Sequence, residues 1–256
     1  MYPTLFKIGD IAVSSFSVMV LIAFLVAYQV GMSEAKRRGG ISQNLFDLLF
    51  ASTVIGGLIG AKILFLIQNT TFSEFIADPL RFMASGLTFH GGLLGAFALI
   101  GLIVWKGRVN FWLVTDIVSP ALIIAYAIGR VGCFLAGDDY GTPSDLPWAM
   151  AFPEGSPPTT DRVHPTQIYT TLIMLCAFAF LWGIRGKDLP VGWLSAVTLL
   201  ILGVERFFME FIRNTTPSLI PGISQAQLIS IGLIAVGVFK LVRLKIGTHK
   251  PAELRS

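Results

Sequence analysis

Arg130 is the residue of this sequence best placed to act on an anion. It stands inside the apolar run Phe111 to Ala136, and Gly137, Asp138 and Asp139 follow at the exit. An arginine near the end of a membrane helix either snorkels to the head-group layer or faces protein, water or a ligand. Other ionisable groups recur in apolar surroundings: Lys62, His90, and Glu205, Arg206 and Glu210, with His164 and Gln167 opening a further run. Arg206, Glu210 and Arg213 fall at i, i+4 and i+7, which is one face of a helix. Guanidinium groups grip phosphate oxygens through paired N–H donors, and a histidine beside them can move a proton. These residue types describe a lipid-phosphate site with a candidate base. They leave the reaction open.

The elements that must position such groups are membrane helices. Of 256 residues, 54% are hydrophobic and 13% charged, with mean hydropathy +0.73; soluble domains carry about 25% charged residues. The net charge of +4 and a pI near 9.2 come from basic residues gathered in a few short loops. That pattern marks topology and excludes a nucleic-acid-binding surface. Cys133 and Cys176 both lie in apolar runs and read as buried thiols, not as a disulfide.

Seven apolar runs are long enough to span a bilayer: Ile11 to Gly31, Leu45 to Ile67, Gly86 to Trp105, Phe111 to Ala136, His164 to Ile184, Val191 to Ile212, and Ile223 to Val242. The first lacks a basic start and a small-residue cleavage site, so it is expected to be retained. Gly56-Gly57-Leu58-Ile59-Gly60-Ala61 suits close helix packing. Phe72, Phe75, Ile76 and Leu80 predict an interfacial arm helix. Lys36 to Arg38, Lys106 with Arg108, Arg185 with Lys187, and the tail from Arg243 occupy alternate connections. The N-terminus is therefore expected outside and the C-terminus inside. The expected fold class is an all-α polytopic membrane protein, one integral domain over 1–256 with an external loop region at 137–165. In that orientation Lys62, His90, Arg130, Gln167, Glu205, Arg206 and Glu210 gather in the outer half of the membrane as a polar chamber.

Taken in order, Asp78-Pro79-Leu80, Phe89-His90-Gly91-Gly92, Gly129-Arg130-x-Gly132, His164-Pro165-x-Gln167-x-Tyr169, and Glu205-Arg206-Phe207 with Glu210 and Arg213 resemble the bacterial prolipoprotein diacylglyceryl transferases over nearly the whole length. The resemblance implies transfer of the diacylglyceryl group of phosphatidylglycerol to the lipobox cysteine thiol of preprolipoprotein signal peptides. A thioether forms and glycerol phosphate leaves. It also implies a bacterial inner-membrane location, with phosphatidylglycerol, signal peptides and the bilayer as partners, and no nucleic acid, metal or cofactor. By the same resemblance Arg130 and Arg206 hold the phosphate and stabilise leaving-group charge. His90 is the candidate thiol base, and Glu210 orients an arginine or shares in proton transfer. Lys62, Asp138 and Gln167 complete the head-group site.

The sequence also departs from the family pattern. Cys133 and Ala136 stand where many members have asparagine, Phe16 where tyrosine is common, Lys62 where arginine is, and Thr170 where glutamate is. These departures keep open a divergent relative acting on another lipid or acceptor. A transporter is the remaining alternative, and the odd span count and one-sided charge distribution stand against it.

Overall fold

The computed structural model describes residues 2–9, 11–70, 74, 78, 86, 88–213 and 222–248. Among them run α1 (Ser15–Arg38), α2 (Gln43–Asn69), α3 (Phe89–Lys106), α4 (Phe111–Ala136), α5 (Thr166–Ile184), α6 (Trp193–Met209) and α7 (Gln225–Thr248). Five of these, α1, α2, α4, α5 and α7, are long and apolar enough to cross a membrane. Leu21, Leu25, Leu58, Phe97, Phe180 and Phe239 point outward from the protein. Water would penalise such a surface; a bilayer covers it. The chain is a helical, multi-span membrane protein.

Several expected boundaries move. The fold is not purely helical, because β1 (Thr4–Ile8) pairs antiparallel with β2 (Ile11–Ser14), and β3 (Met150–Phe152) with β4 (Thr159–Val163). Residues 11–14, read as the start of the first span, are thus strand, and the helix begins at Ser15. Its far end passes Gly31 because Glu34 pairs with Arg37 and Arg38 one turn on. Lys36, Arg37 and Arg38 form the last turn of α1, where the helix dipole favours cations. The seventh helix likewise runs beyond Val242, to Thr248. The sixth stops at Met209; Glu210–Ile212 make a 3-10 turn and Arg213 is extended, with φ −114°. Arg213 therefore leaves the helical face it was expected to share with Arg206 and Glu210. The expected arm helix at 72–80 lies outside the described residues, apart from Glu74 and Asp78.

The described residues cluster into two units, 32–114 and, separately, 1–31 with 115–256. In the first, Ser42 caps α2 by accepting from the Leu45 N–H at 3.3 Å. Gly56 faces Gly95 and Gly60 faces Gly91, so α2 and α3 run antiparallel with their backbones touching. A methyl group at any of the four would strike the opposite helix's backbone. This is the close packing expected of the small-residue patch.

In the second unit Ile123 and Ala127 of α4, Met174, Ala177 and Leu181 of α5, and Leu194 of α6 form one apolar core. The inward stripe of α5 is Gln167, Thr170, Met174, Ala177 and Leu181, spaced three and four apart. Cys176 falls off that stripe and is exposed, contrary to the buried thiol expected; Cys133 is half-buried, and both are free. Asp116, fully buried on α4, accepts from the Gly192 N–H at 2.8 Å and the Ser195 N–H at 2.7 Å. A carboxylate from one helix thereby caps the N-terminus of another. That tie fixes α6, which carries Glu205 and Arg206, to the helix that carries Arg130.

Candidate active site

The site begins where α4 ends. Gly137 adopts φ +71°, and the N–H groups of Gly137 and Asp138 close back onto the Cys133 carbonyl at 2.9 and 3.1 Å. This is the left-handed closure that glycine permits. It turns the chain back over the last turns of α4, and Asp139 follows with φ +63°. One oxygen of Asp139 accepts from Arg130 Nη1, and the other pairs with Arg213 Nη2.

Arg213 reaches that position by a backbone seam. The Gly141 N–H donates to the His164 carbonyl at 2.9 Å, the His164 N–H to Thr142 at 3.0 Å, and the Thr142 N–H to Ile212 at 2.9 Å. Only glycine fits at 141, because a Cβ there would collide with the Ile212 carbonyl and press on His164 and Thr166. Burial first, and the positive charge of Arg130 second, pull the Arg213 guanidinium down to about 10. It is still cationic at neutral pH.

Arg130 is only 4% exposed, and its Nε and Nη2 have no hydrogen-bond partner among the described residues. These two N–H groups lie along one edge of the planar guanidinium. They form the fork that takes two oxygens of a phosphate or carboxylate in parallel. Leaving such donors buried without acceptors costs on the order of 1–3 kcal/mol, so the edge is suited to an incoming oxyanion. Nearby, Gln167 is fully buried; its Nε2 donates to the Asp138 carbonyl at 2.6 Å, and neither its Oε1 nor Asp138 Oδ1 has a hydrogen-bond partner among the described residues. Thr166 Oγ1 donates to the Asp139 carbonyl at 2.8 Å. Thr170 Oγ1 donates to Glu205 Oε1 at 2.7 Å, and Glu205 lies within electrostatic reach of both Arg130 and Arg206.

Arg206 and Glu210 form an i,i+4 ion pair at 3.0 Å, with the carboxylate buried and the guanidinium about one-third exposed. The remaining candidates belong to the 32–114 unit. Lys62 Nζ donates to the Gly86 carbonyl at 3.0 Å and lies 5.4 Å from the centre of the Phe65 ring. Thr88 anchors through its N–H and hydroxyl to the Ala61 carbonyl, at 3.2 and 3.0 Å. This hook places the start of α3, with the exposed His90, beside the Ala61–Lys62 stretch of α2. Arg130, Asp138 and Gln167 thus meet in one place, Arg206 pairs with Glu210, and Lys62 and His90 share the other unit. Sequence reading noted Asp139 at the exit of the run but gave it no role, and it passed over Asp116. Asp139 could have been found from its place two residues after a helix-ending glycine; nothing local marks Asp116.

Helices long and apolar enough to cross a membrane several times, with a buried guanidinium edge of a shape that suits an oxyanion where one of them ends, define the class as a polytopic membrane protein. A family model described as prolipoprotein diacylglyceryl transferase matches residues 3–243. The chain is 34% identical to the phosphatidylglycerol–prolipoprotein diacylglyceryl transferase of Azoarcus sp. (strain BH72), over 98% of this chain and 97% of that one. It is 35% identical to the protein of that name from Aromatoleum aromaticum, over 92% of each chain. For the Vibrio cholerae serotype O1 protein (strain ATCC 39315 / El Tor Inaba N16961) the identity is 34%, over 94% of this chain and 90% of that one. The chain belongs to the prolipoprotein diacylglyceryl transferase family.

Proposed function

We propose that this chain transfers the diacylglyceryl group of phosphatidylglycerol to the lipobox cysteine thiol of preprolipoproteins. The thiol sulfur forms a bond to the glyceryl carbon that carries the phosphate. The carbon–oxygen bond to phosphate breaks, and glycerol phosphate departs with the electron pair. The phosphate passes from a singly charged diester to a monoester that carries about two charges near neutral pH. Cationic donors aimed at it therefore bind more strongly as the bond breaks, which is what lowers a barrier. The observation that carries this reading is the Nε–Nη2 edge of buried Arg130, which has no hydrogen-bond partner among the described residues.

In this mechanism Arg130 and Arg206 hold the phosphate, and Glu210 keeps Arg206 oriented. Asp138, Gln167 and Lys62 contact the head group, and His90 takes the thiol proton. The proposed topology is seven spans, with α3 and α6 completing the count, the N-terminus outside and the C-terminus on the cytoplasmic side of the bacterial inner membrane. Basic side chains at one end of α1, α3 and α7 support that orientation. The test is mass spectrometry of a lipobox peptide incubated with the purified protein and phosphatidylglycerol. The expected product is the peptide heavier by one diacylglyceryl group. Arg130→Lys, which keeps the charge and loses the fork, should slow transfer on the order of 10²–10³-fold. An unmodified peptide with the wild-type protein would overturn the proposal.

A further inference from the structure

The geometry points to Asp139 as a positioning residue that holds Arg130 and Arg213 together and leaves the Nε–Nη2 edge of Arg130 for the phosphate; this rests on the transfer reading above. Three observations carry it. First, the carboxylate divides its two oxygens between two arginines, Arg130 through Nη1 and Arg213 through Nη2. Both guanidinium groups are largely buried while Asp139 itself is half-exposed, so the acid lies over the cations and brings one negative charge between two that would repel. Second, the bond goes to Nη1. A carboxylate on the Nε–Nη2 edge would occupy the fork, whereas one on Nη1 fixes the plane of the guanidinium and leaves the fork unpartnered. Third, Asp139 stands at φ +63°, and the Thr166 hydroxyl donates to its carbonyl at 2.8 Å. The backbone that aims the carboxylate is itself tied to α5. Asp139 is not asked to touch the reacting atoms.

Because the leaving phosphate gains charge as the bond breaks, a misoriented Arg130 should be felt in kcat more than in KM. Asparagine adopts left-handed backbone as readily as aspartate, so Asp139→Asn removes the charge and keeps the turn. Hydrogen bonds to charged groups are worth on the order of 1.5–3 kcal/mol, so kcat should fall on the order of 10-fold to 100-fold. The KM for phosphatidylglycerol should change far less, while the thermal midpoint should fall, because two largely buried guanidinium charges lose the acid between them. In an Arg130→Lys background the same substitution should add little, since the residue acts through the fork. Wild-type kcat in Asp139→Asn would overturn the inference, as would losses that multiply in the double variant. A lower KM at unchanged kcat would overturn it too, by making the carboxylate a competitor for the phosphate site. If Asp139→Asn unfolds, Asp139→Glu carries the test: kcat near wild type supports the role, and a folded Glu variant with a 10-fold to 100-fold loss overturns it. A wild-type chain inert with phosphatidylglycerol would instead sink the transfer reading, and this inference with it.

Discussion

His90 carries the proton chemistry of the proposed reaction, and it is the residue whose role is most open to measurement. It sits at the start of α3, exposed, and one residue before the glycine that lets α2 approach. As the thiol base it converts the substrate cysteine to the thiolate, the competent nucleophile. A free thiol ionises unaided near pH 8.5. His90→Asn should therefore insert, fold and bind phosphatidylglycerol, transfer poorly at pH 7, and regain rate as pH rises toward 9. A pH–rate profile of the variant checks this; a loss that stays constant with pH, together with lost lipid binding, would make His90 a binding residue. At this scale the sequence made Arg130, Gln167, Arg206 and Glu210 conspicuous, because a charged or amide group stands out in an apolar run, and the structure buries Arg130, Gln167 and Glu210. It was a poor guide to pairing. Asp138 and Asp139 are adjacent and chemically alike, and only the left-handed turn after Gly137 decides that Asp139 meets the two arginines.

At the scale of elements, the controlling feature is the tie between α4 and α6. Asp116 supplies acceptors to two N–H groups and a hydroxyl at the start of α6, in a fully buried place. Asp116→Ala strips that end of its cap, which costs up to about 2 kcal/mol at an N-cap, more where the orphaned groups are buried. The expected outcome is a lower thermal midpoint in detergent and slower transfer, because Arg206 and Glu205 ride on α6. A variant with unchanged midpoint would show that water replaces the cap. Apolar runs located the helices well, and the glycine patch foretold a close helix contact but not that α3 makes it. Their ends were less legible. The N-terminal hairpin was hidden because Ile11, Ala12 and Val13 continue the apolar run, and hydropathy alone does not separate a strand from a helix turn there. The cap by Asp116 was invisible, since its partners Gly192 and Ser195 lie more than seventy positions away.

For the molecule as a whole, orientation decides which compartment the chemistry faces. The basic turns at the ends of α1, α3 and α7 predict that position 145 is outside. In a background with Cys133 and Cys176 replaced by serine, Asp145→Cys should react with a membrane-impermeant maleimide added to intact cells. Labelling only after the cytoplasmic side is opened would invert the topology. The seam at Gly141 also has a consequence for biosynthesis. Its far partner, the Ile212 carbonyl, lies 70 residues downstream of Thr142. While the chain is being made, Arg130, Asp138 and Asp139 are in place long before Ile212 and Arg213 emerge. A nascent chain that ends before residue 212 has the acid and one arginine but no seam to bind them. The seam is thus completed by a segment translated 70 residues after Thr142, and a ribosome that stops short of it leaves a membrane-inserted chain with the Arg130–Asp139–Arg213 cluster still incomplete.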